Sequence, residues 1–147
     1  MKWINTRNIF VISFFGCLAC KKDSYHEDKK TAAELLTAGE WTLTGHGFDD
    51  NRNNTIDSSE NTAADCLKDN TYIFRPDGSG TNFENEMDCG NGEPENNFNW
   101  KLLDRDSAIE LNGFKSKIKA ITQTKLELSI YDSISLPVKD YLISFKR

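Results

Sequence analysis

Apolar and polar side chains alternate along most of the chain after Trp41. The alternation is clearest in three runs in which Asn, Lys, Glu or Ser separates the apolar residues: Phe98, Trp100 and Leu102; Ile109 and Leu111; Leu126, Leu128 and Ile130. Successive side chains of a β-strand point to opposite faces of the sheet, so a period of two indicates strands with one buried face. The sequence from residue 41 onward is therefore predicted to be all-β.

Turn signals divide this region into eight predicted strands. Their approximate bounds are 41–48, 70–76, 80–87, 97–104, 107–114, 117–121, 124–132 and 138–147. Three of the connections, at 77–80, 104–106 and 122–124, are too short for a helical crossover and suit antiparallel neighbours. An up-and-down sheet leaves two long edges, and closure into a barrel removes both. We therefore predict an all-β, eight-stranded antiparallel up-and-down barrel within residues 31–147, with a short N-terminal helix over 31–36.

The first nineteen residues are predicted to be an export signal. Lys2 and Arg7 give a positive start, the run from Ile9 to Ala19 is almost entirely apolar, and the small residue Ala19 precedes Cys20. An apolar run of about 11 residues is too short to cross a bilayer, which needs about 20. Residues 20–30 are polar and lack periodicity, which predicts a flexible tether before the barrel.

The segment from Cys17 to Cys20, Cys-Leu-Ala-Cys, resembles a bacterial lipobox. In that motif, signal peptidase cleaves before a cysteine that carries a thioether-linked diacylglycerol. The resemblance implies that Cys20 is the lipidated first residue of a mature protein anchored to the outer membrane, on its periplasmic or its surface side. Cys17 stands where the motif usually has Leu, so lipidation at Cys17 and ordinary secretory cleavage remain alternatives.

Charge is distributed unevenly along the chain. Residues 49–96 contain 12 acidic and 3 basic side chains, whereas residues 97–147 contain 6 acidic and 9 basic ones. The whole chain has a net charge of −5 and no long basic run. We therefore expect no nucleic-acid partner, and we expect a monomer.

The insertion at 49–66 begins with a twelve-residue segment that has the spacing of an EF-hand loop. Oxygen-bearing side chains stand at positions 1, 3, 5 and 9, and a glutamate stands at position 12. The predicted Ca²⁺ ligands are Asp49, Asn51, Asn53, the carbonyl of Thr55, Asp57 and Glu60. Position 6, usually Gly, is Asn54, and no amphipathic helix precedes the loop. A solvated, turn-rich loop explains the same residues, so both interpretations stay open.

Cys66 and Cys89 remain once Cys17 is removed and Cys20 is acylated. Two cysteines in an exported domain usually pair, so we predict a disulfide that fastens the insertion to the loop after the third strand. A nucleophilic cysteine is the alternative, but His46 is the only histidine of the predicted domain. Because no nucleophile, base and orienting residue can be named together, we expect no enzymatic activity and no organic cofactor.

The order of several short motifs resembles one known family. Gly39-Glu40-Trp41 matches the G-x-W signature of lipocalins, and Arg147 ends the last strand, where that family often places a cation against the Trp ring. Residues 33–147 are similar to the lipocalin-like lipoproteins of Bacteroidetes. The shared pieces are G-x-W, an acidic loop, Cys66-Leu67-Lys68-Asp69, Phe74 before Asp77-Gly78, Cys89, Trp100-Lys101-Leu102 and a final Tyr-x-Ile-x-Phe. The resemblance implies a lipocalin-like barrel with Gly39, Trp41 and Arg147 as its signature.

Two functions follow as expectations. In the first, the barrel of a lipid-anchored envelope protein binds a small apolar or amphipathic ligand, and an open cavity of more than about 300 Å³ would be the feature that distinguishes this function. In the second, the barrel is packed, and the protein acts structurally or through interactions made by a Ca²⁺-ordered acidic loop. Fold alone does not decide between them, because function depends on the site. The interior volume is the observation that separates them.

Overall fold

The computed structural model describes residues 30–90, 93–131 and 139–147. The predicted export signal, the lipidation at Cys20 or Cys17, and most of the tether fall outside these residues. In the parts of the chain that the structure describes, no helix is both long and apolar enough to cross a membrane.

Eight antiparallel strands form one closed barrel, as the sequence predicts. They are β1 (Trp41–Phe48), β2 (Thr71–Phe74), β3 (Ser79–Phe83), β4 (Glu95–Leu103), β5 (Ala108–Leu111), β6 (Phe114–Ile121), β7 (Lys125–Tyr131) and β8 (Asp140–Lys146). Each strand pairs with the next one along the chain, and β8 pairs with β1. The lipocalin-like architecture is therefore confirmed.

Some predicted strand boundaries are wrong. The strand predicted over 80–87 ends at Phe83. A strand is also predicted over 107–114, whereas β5 ends at Leu111 and β6 already begins at Phe114. Asn112 and Gly113 form the two-residue turn between them, with φ of 48° and 88°. An Asn-Gly pair is suited to such a turn because both residues adopt positive φ readily, so the hairpin reverses here and not three residues later.

A short helix, α1 (Ala32–Thr37), precedes the barrel. The Thr31 hydroxyl accepts a hydrogen bond from the Glu34 N–H at 3.2 Å, and the Glu34 carboxylate accepts one from the Thr31 N–H at 2.7 Å. This reciprocal pair is a capping box, which fixes where the helix begins. Leu36 is fully buried, so the helix packs against the barrel through this side chain.

The hydrophobic core lies inside the barrel. Its buried residues come from the helix, from six of the strands and from the connection between β1 and β2: Leu36, Trp41, Leu43, Ala63, Phe74, Trp100, Ile109, Leu126, Leu128 and Phe145. Burying each of the larger side chains stabilises the fold by about 1.5–3 kcal/mol. Every strand pairing and the whole of this cluster lie within residues 36–146. Residues 30–147 therefore contain the contacts that close the barrel and form its core.

The two ends of the barrel differ. The closed end carries α1, the residue that follows β8, and the short turns at 75–78, 104–107 and 122–124. The open end carries the connection 49–70, residues 84–90 and 93–94 of the connection between β3 and β4, and the turn at 112–113, and β7 ends and β8 begins there. The acidic insertion and both paired cysteines thus lie at the open end.

A bulge in β1 changes which of its side chains face the interior. The register with β8 shifts between Leu43 and Gly45, so that His46 lies opposite Ile143. Ile143 packs against the core, and directly opposed residues share a face of the sheet. His46 and Phe48 therefore face the interior at the open end, although simple alternation from Trp41 would place them outside.

Candidate functional site

A cavity of about 270 Å³ lies inside the barrel toward the open end. Its apolar lining consists of Tyr72, Phe74, Phe98, Leu111 and Phe145. The aromatic rings meet edge to face, with centroids 5.2 Å apart for Phe74 and Phe98 and also for Tyr72 and Phe145. The volume is slightly below the threshold of about 300 Å³ set above, yet well above the roughly 150 Å³ that holds a benzene molecule.

Gly80 makes room for the edge-to-face packing of Phe98 against Phe74. It lies opposite Phe74 on β2 and Phe98 on β4. A Cβ atom at this position would overlap the ring of Phe98. The missing side chain therefore lets the Phe98 ring cross the inner surface of β3.

Four asparagines form the polar part of the cavity lining: Asn82, Asn96, Asn97 and Asn112. Two of their carbonyl oxygens are occupied, since Asn97 Oδ1 accepts from the Thr81 hydroxyl at 3.0 Å and Asn112 Oδ1 accepts from the Asn99 N–H at 2.8 Å. Asn82 Oδ1 is buried and has no hydrogen-bond partner among the described residues. A buried acceptor of this kind has lost its water without replacing it, which carries a free-energy cost.

The large hydrophobic residues that stay exposed in the described chain all lie at the open end. Phe48, Met87, Phe114 and Ile130 are 38%, 45%, 74% and 36% exposed. Phe114 pairs with Leu111, which lines the cavity, and Ile130 pairs with Tyr141, the cross-strand partner of Phe48. Three of the four are therefore inner-face residues at the rim of the barrel.

Two titratable side chains of the barrel, Tyr72 and His46, are uncharged at neutral pH. Burial raises the pKa of Tyr72, an interaction with Asn70 opposes the rise, and the carboxylate of Glu84 adds to it. Burial lowers the pKa of His46, so its imidazole is neutral as well. His46 Nδ1 lies within hydrogen-bond distance of the Tyr141 hydroxyl and 3.3 Å from the Thr62 hydroxyl.

Gly39, Trp41 and Arg147, the residues of the predicted signature, meet at the closed end. The guanidinium of Arg147 stacks over the ring of Trp41, which confirms the predicted cation–Trp contact. Trp41 is fully buried, and its Nε1 donates to the Leu36 carbonyl at 2.9 Å. Gly39 lies beside this pair, because a Cβ atom there would stand 3.5 Å from the Arg147 side chain. The signature therefore fastens α1 over this end of the barrel.

Cys66 and Cys89 form the predicted disulfide, with Cα atoms 5.3 Å apart. It joins the 3-10 turn Asp65–Leu67 to the connection between β3 and β4. Hydrogen bonds reinforce this link, because Asp69 Oδ2 accepts from the Met87 N–H at 2.9 Å and the Asn85 amide donates to the Thr71 hydroxyl at 2.9 Å. In the structure, the sulfur atom of Cys66 is part of this bond and is not a free nucleophile.

The twelve-residue loop at 49–60 folds around two buried carboxylates. Asp49 is 3% exposed and Glu60 is 7% exposed. The Asp49 carboxylate accepts from the N–H groups of Asn53 and Asn54 at 3.0 and 2.9 Å. The Glu60 carboxylate accepts three backbone N–H bonds of 2.9 to 3.1 Å, from Asp50, Asn51 and Asp57. Hydrogen bonds therefore define the conformation of the loop.

Three of the other predicted Ca²⁺ ligands, Asn51, Asn53 and Asp57, meet in this loop. The side-chain amides of Asn51 and Asn53 donate to Asp57 Oδ2 at 2.7 and 3.1 Å, and Asn53 Oδ1 accepts from the Thr55 N–H at 2.9 Å. Asn54 has a φ of 63°, the left-handed conformation expected at position 6. In residues 30–90, 93–131 and 139–147, however, no three Asp, Glu, His or Cys side chains are gathered as a metal site. Ca²⁺ binding stays a prediction.

Two lysines fasten the loop to the barrel. Lys119 on β6 donates to Asn54 Oδ1 and forms an ion pair with Asp140 at 3.0 Å. Lys139 forms an ion pair with Asp50 at 2.5 Å. The basic C-terminal half of the chain thus partly neutralises the acidic insertion.

A family model that matches the chain would assign it to a family. No family model matches this sequence, and no curated protein matches it. The function is therefore argued from the geometry of the barrel.

The sequence placed Phe98 and Leu111 on buried strand faces, but it predicted neither the position of the cavity nor its asparagine lining. The sequence does indicate that Asn96 faces inward, because Asn96 alternates with Phe98 and Trp100 and therefore shares their inner face. No signal was present for Asn82, since its neighbour Phe83 is the more apolar residue and alternation from Phe83 would place Asn82 outside. Its register opposite Asn96 places it inside.

Proposed function

We propose that this protein is a lipid-anchored lipoprotein of the outer membrane whose lipocalin-like barrel binds a small apolar or amphipathic ligand. The observation that carries the proposal is the cavity of about 270 Å³ at the open end, with its aromatic lining and its asparagine side chains. Ligand sites are typically apolar hollows with a few well-placed polar groups, and this cavity has that composition.

The rim of the barrel supports the same proposal. Phe48, Phe114 and Ile130 keep apolar surface in water at the open end. Exposed apolar surface that lies next to a cavity is typical of a binding site. At the closed end, α1 and the contact between Trp41 and Arg147 cover the barrel, so we place the entrance at the open end.

The disulfide is consistent with export, because such bonds persist in oxidising compartments. The cell-envelope location itself rests on the lipobox resemblance at Cys20, in the part of the sequence outside the described residues. We propose that the membrane is a partner through this anchor, that nucleic acid is not, and that the protein is a monomer without catalytic activity.

Naphthalene tests the proposal on the domain of residues 30–147. Calorimetric titration should detect binding, and NMR spectra should show shifts at Phe98 and Leu111. Leu111→Phe fills part of the cavity and should weaken binding at least tenfold. The matched variant is Leu103→Phe. Leu103 lies on the outer face of β4, so this variant should bind as the parent does. Absence of binding by the parent, or equal binding by both variants, would show that the cavity does not hold a ligand.

The second candidate is a structural or interaction lipoprotein whose acidic loop is ordered by Ca²⁺. The left-handed Asn54 and the convergence of Asn51 and Asn53 on Asp57 favour it. The residue set suits Ca²⁺ in kind, because carboxylate, amide and carbonyl oxygens are its preferred ligands. The side-chain N–H groups of Asn51 and Asn53 now place partial positive charge next to the Asp57 carboxylate. Bound Ca²⁺ would take over this role.

A further inference from the structure

We propose that a groove on the outside of the barrel binds the phosphate group of a small, soluble phosphate ester. The groove has a volume of about 460 Å³, and its described lining comes from β6, β7 and β8: Lys115, Lys117, Ser129, Ile130 and Asp140. It shares no described residue with the cavity of about 270 Å³ inside the barrel. This second site is therefore separate from the apolar one, and its role goes beyond the proposed function.

Strand register places a lysine beside a serine in this groove. Lys115 and Lys117 are two residues apart on β6 and therefore point to the same side of the sheet. Lys117 lies directly opposite Ser129 on β7, and such partners have Cβ atoms about 4.5–5.5 Å apart. The next pair, Ile118 and Leu128, packs in the hydrophobic core, so Lys117 and Ser129 point outward. Their ammonium and hydroxyl groups can therefore contact the same anion.

The hydroxyl of Ser129 is available to a ligand. Ser129 is only 5% exposed, and it lines the groove. Its hydroxyl forms no hydrogen bond with the described residues, yet it is not one of the buried polar atoms that solvent cannot reach. A hydroxyl without a protein partner at the bottom of a groove can donate to an oxygen of a ligand that enters. Such a bond is stronger when the acceptor oxygen is charged.

The charges around the groove leave one cation unpaired. Lys115 forms an ion pair with Asp104 at 2.6 Å, and Lys119 neutralises Asp140 at 3.0 Å. Lys117, in contrast, is exposed and forms no ion pair with the described residues. Although the whole chain has a net charge of −5, this face of β6 is positive. A lysine ammonium is a compact point charge, which makes it a common binder of phosphate.

The donors and the volume of the groove suit a phosphate monoester. Near neutral pH its phosphate group carries close to two negative charges and three acceptor oxygens, one for each of Lys115, Lys117 and Ser129. A carboxylate offers one charge and two oxygens, so it should bind more weakly. The groove is larger than a phosphate ion, and the partly exposed Ile130 gives an attached organic group an apolar contact. Because Ser129 lies deep, a phosphate held in a flat membrane would not reach its hydroxyl.

Phenyl phosphate tests this site on the domain of residues 30–147. In NMR titrations at about pH 7.5 and constant ionic strength, the amide signals of Lys117 and Ser129 should shift. The dissociation constant should be roughly 1–10 mM, because each exposed ion pair contributes little. Benzoate has the same ring with a carboxylate in place of the phosphate, and it should bind at least threefold more weakly. Binding of benzoate equal to that of phenyl phosphate would overturn the assignment to phosphate.

Variants separate this site from general attraction between charges. Lys117→Gln should weaken the binding of phenyl phosphate at least fivefold, and Ser129→Ala should weaken it at least threefold. The matched control is Lys146→Gln, which removes the same charge from an exposed position at the closed end. This control should bind as the parent does. Equal weakening in Lys117→Gln and Lys146→Gln, or the absence of shifts on β6 and β7 in the parent, would overturn the proposed site.

Vesicles distinguish a soluble ester from a lipid headgroup. The domain of residues 30–147 should sediment neither with phosphatidylglycerol vesicles nor with phosphatidylcholine vesicles. Sedimentation with phosphatidylglycerol that is lost in Lys117→Gln would identify a lipid as the source of the phosphate and overturn the soluble ester. None of these outcomes depends on whether naphthalene binds inside the barrel, so this site and the proposed function can fail separately.

Discussion

The guanidinium carbon of Arg147 lies 3.9 Å from the centroid of the Trp41 ring. The same guanidinium donates to the carbonyl of Leu35 in α1 and, at 3.1 Å, to the carbonyl of Gln123 in the turn between β6 and β7. The residue that follows the last strand thereby joins the first strand, the helix and a turn. These contacts hold the closed end together, which leaves the open end as the place where the barrel can admit a ligand.

Arg147→Ala is expected to lower the free energy of unfolding by about 1–2 kcal/mol. It removes a cation–π contact of about 0.5–1 kcal/mol and two hydrogen bonds to carbonyl groups. Urea unfolding followed by tryptophan fluorescence measures the change. Lys146→Ala, at the exposed neighbouring position, is the control and should stay within about 0.5 kcal/mol of the parent. Equal losses in the two variants would mean that the contact with Trp41 contributes little.

The barrel could be predicted because its signals are local. Alternation in β4 and β7 shows a buried face, and short connections such as 122–124 allow only antiparallel neighbours. The disulfide and the contact of Arg147 with Trp41 were also predictable, the first from the number of cysteines left and the second from the family resemblance. In each case the sequence contains the feature that determines the structure.

The cavity and its rim could not be predicted, because the cavity lining depends on strand register and the rim depends on a bulge. The shift in β1 after Leu43 turns His46 and Phe48 inward, against simple alternation. Asn82 faces inward only because β3 pairs with β4 in a register that sets it opposite Asn96. Tertiary pairing, and not residue type, decides such positions.

The Cys66–Cys89 disulfide should stabilise the domain without being needed for its barrel. A closed loop of this length contributes roughly 3 kcal/mol by restricting the unfolded chain. The double variant Cys66→Ser/Cys89→Ser should lose about that much in urea unfolding, while its far-ultraviolet circular dichroism spectrum keeps the strand signal. Mass spectrometry of the non-reduced parent should show one linked pair. Loss of the strand spectrum in the variant would show that barrel formation requires the bond.

The partly buried imidazole of His46 should make the fold less stable in mild acid. Burial lowers its pKa, so between that value and about 6.5 the unfolded chain binds more protons than the folded one. Stability therefore falls as pH decreases through this window. His46→Gln should show a smaller decrease in melting temperature between pH 7.5 and pH 5. Carboxylates titrate alike in both proteins, so parallel pH curves would contradict the prediction.

Cys20 should determine whether the protein is anchored. Cys20→Ala in the full-length chain should move the protein from the membrane fraction to the soluble fraction, because a lipidated cysteine is the predicted anchor. Cys17→Ala tests the alternative lipidation site. Because Cys20 is the predicted lipidated residue, this variant should stay in the membrane fraction. Metabolic labelling with a fatty acid that carries an alkyne reports acylation directly. A Cys20→Ala protein that is still labelled and membrane-bound would refute the assignment.

Calcium should order the loop at 49–60 with low affinity. Three carboxylates, Asp49, Asp57 and Glu60, repel one another when brought together, and a divalent cation offsets that repulsion. Binding must compete with the existing network, however, because the Glu60 carboxylate already accepts three backbone N–H bonds. The amides of Asn51 and Asn53 must also present oxygen where they now present nitrogen to Asp57. A dissociation constant of roughly 10⁻⁴ to 10⁻³ M, typical of extracellular modules, follows.

Calorimetric titration of residues 30–147 with CaCl₂ measures this affinity, and a parallel titration with MgCl₂ tests selectivity. Mg²⁺ should bind more weakly because it needs compact octahedral geometry and releases its water reluctantly. Glu60→Gln and Asp57→Asn should each abolish the heat, whereas Ser58→Ala, an exposed change inside the same loop, should not alter it. A silent titration at millimolar Ca²⁺, or equal heats from the parent and Glu60→Gln, would identify the segment as a hydrogen-bonded loop that binds no metal.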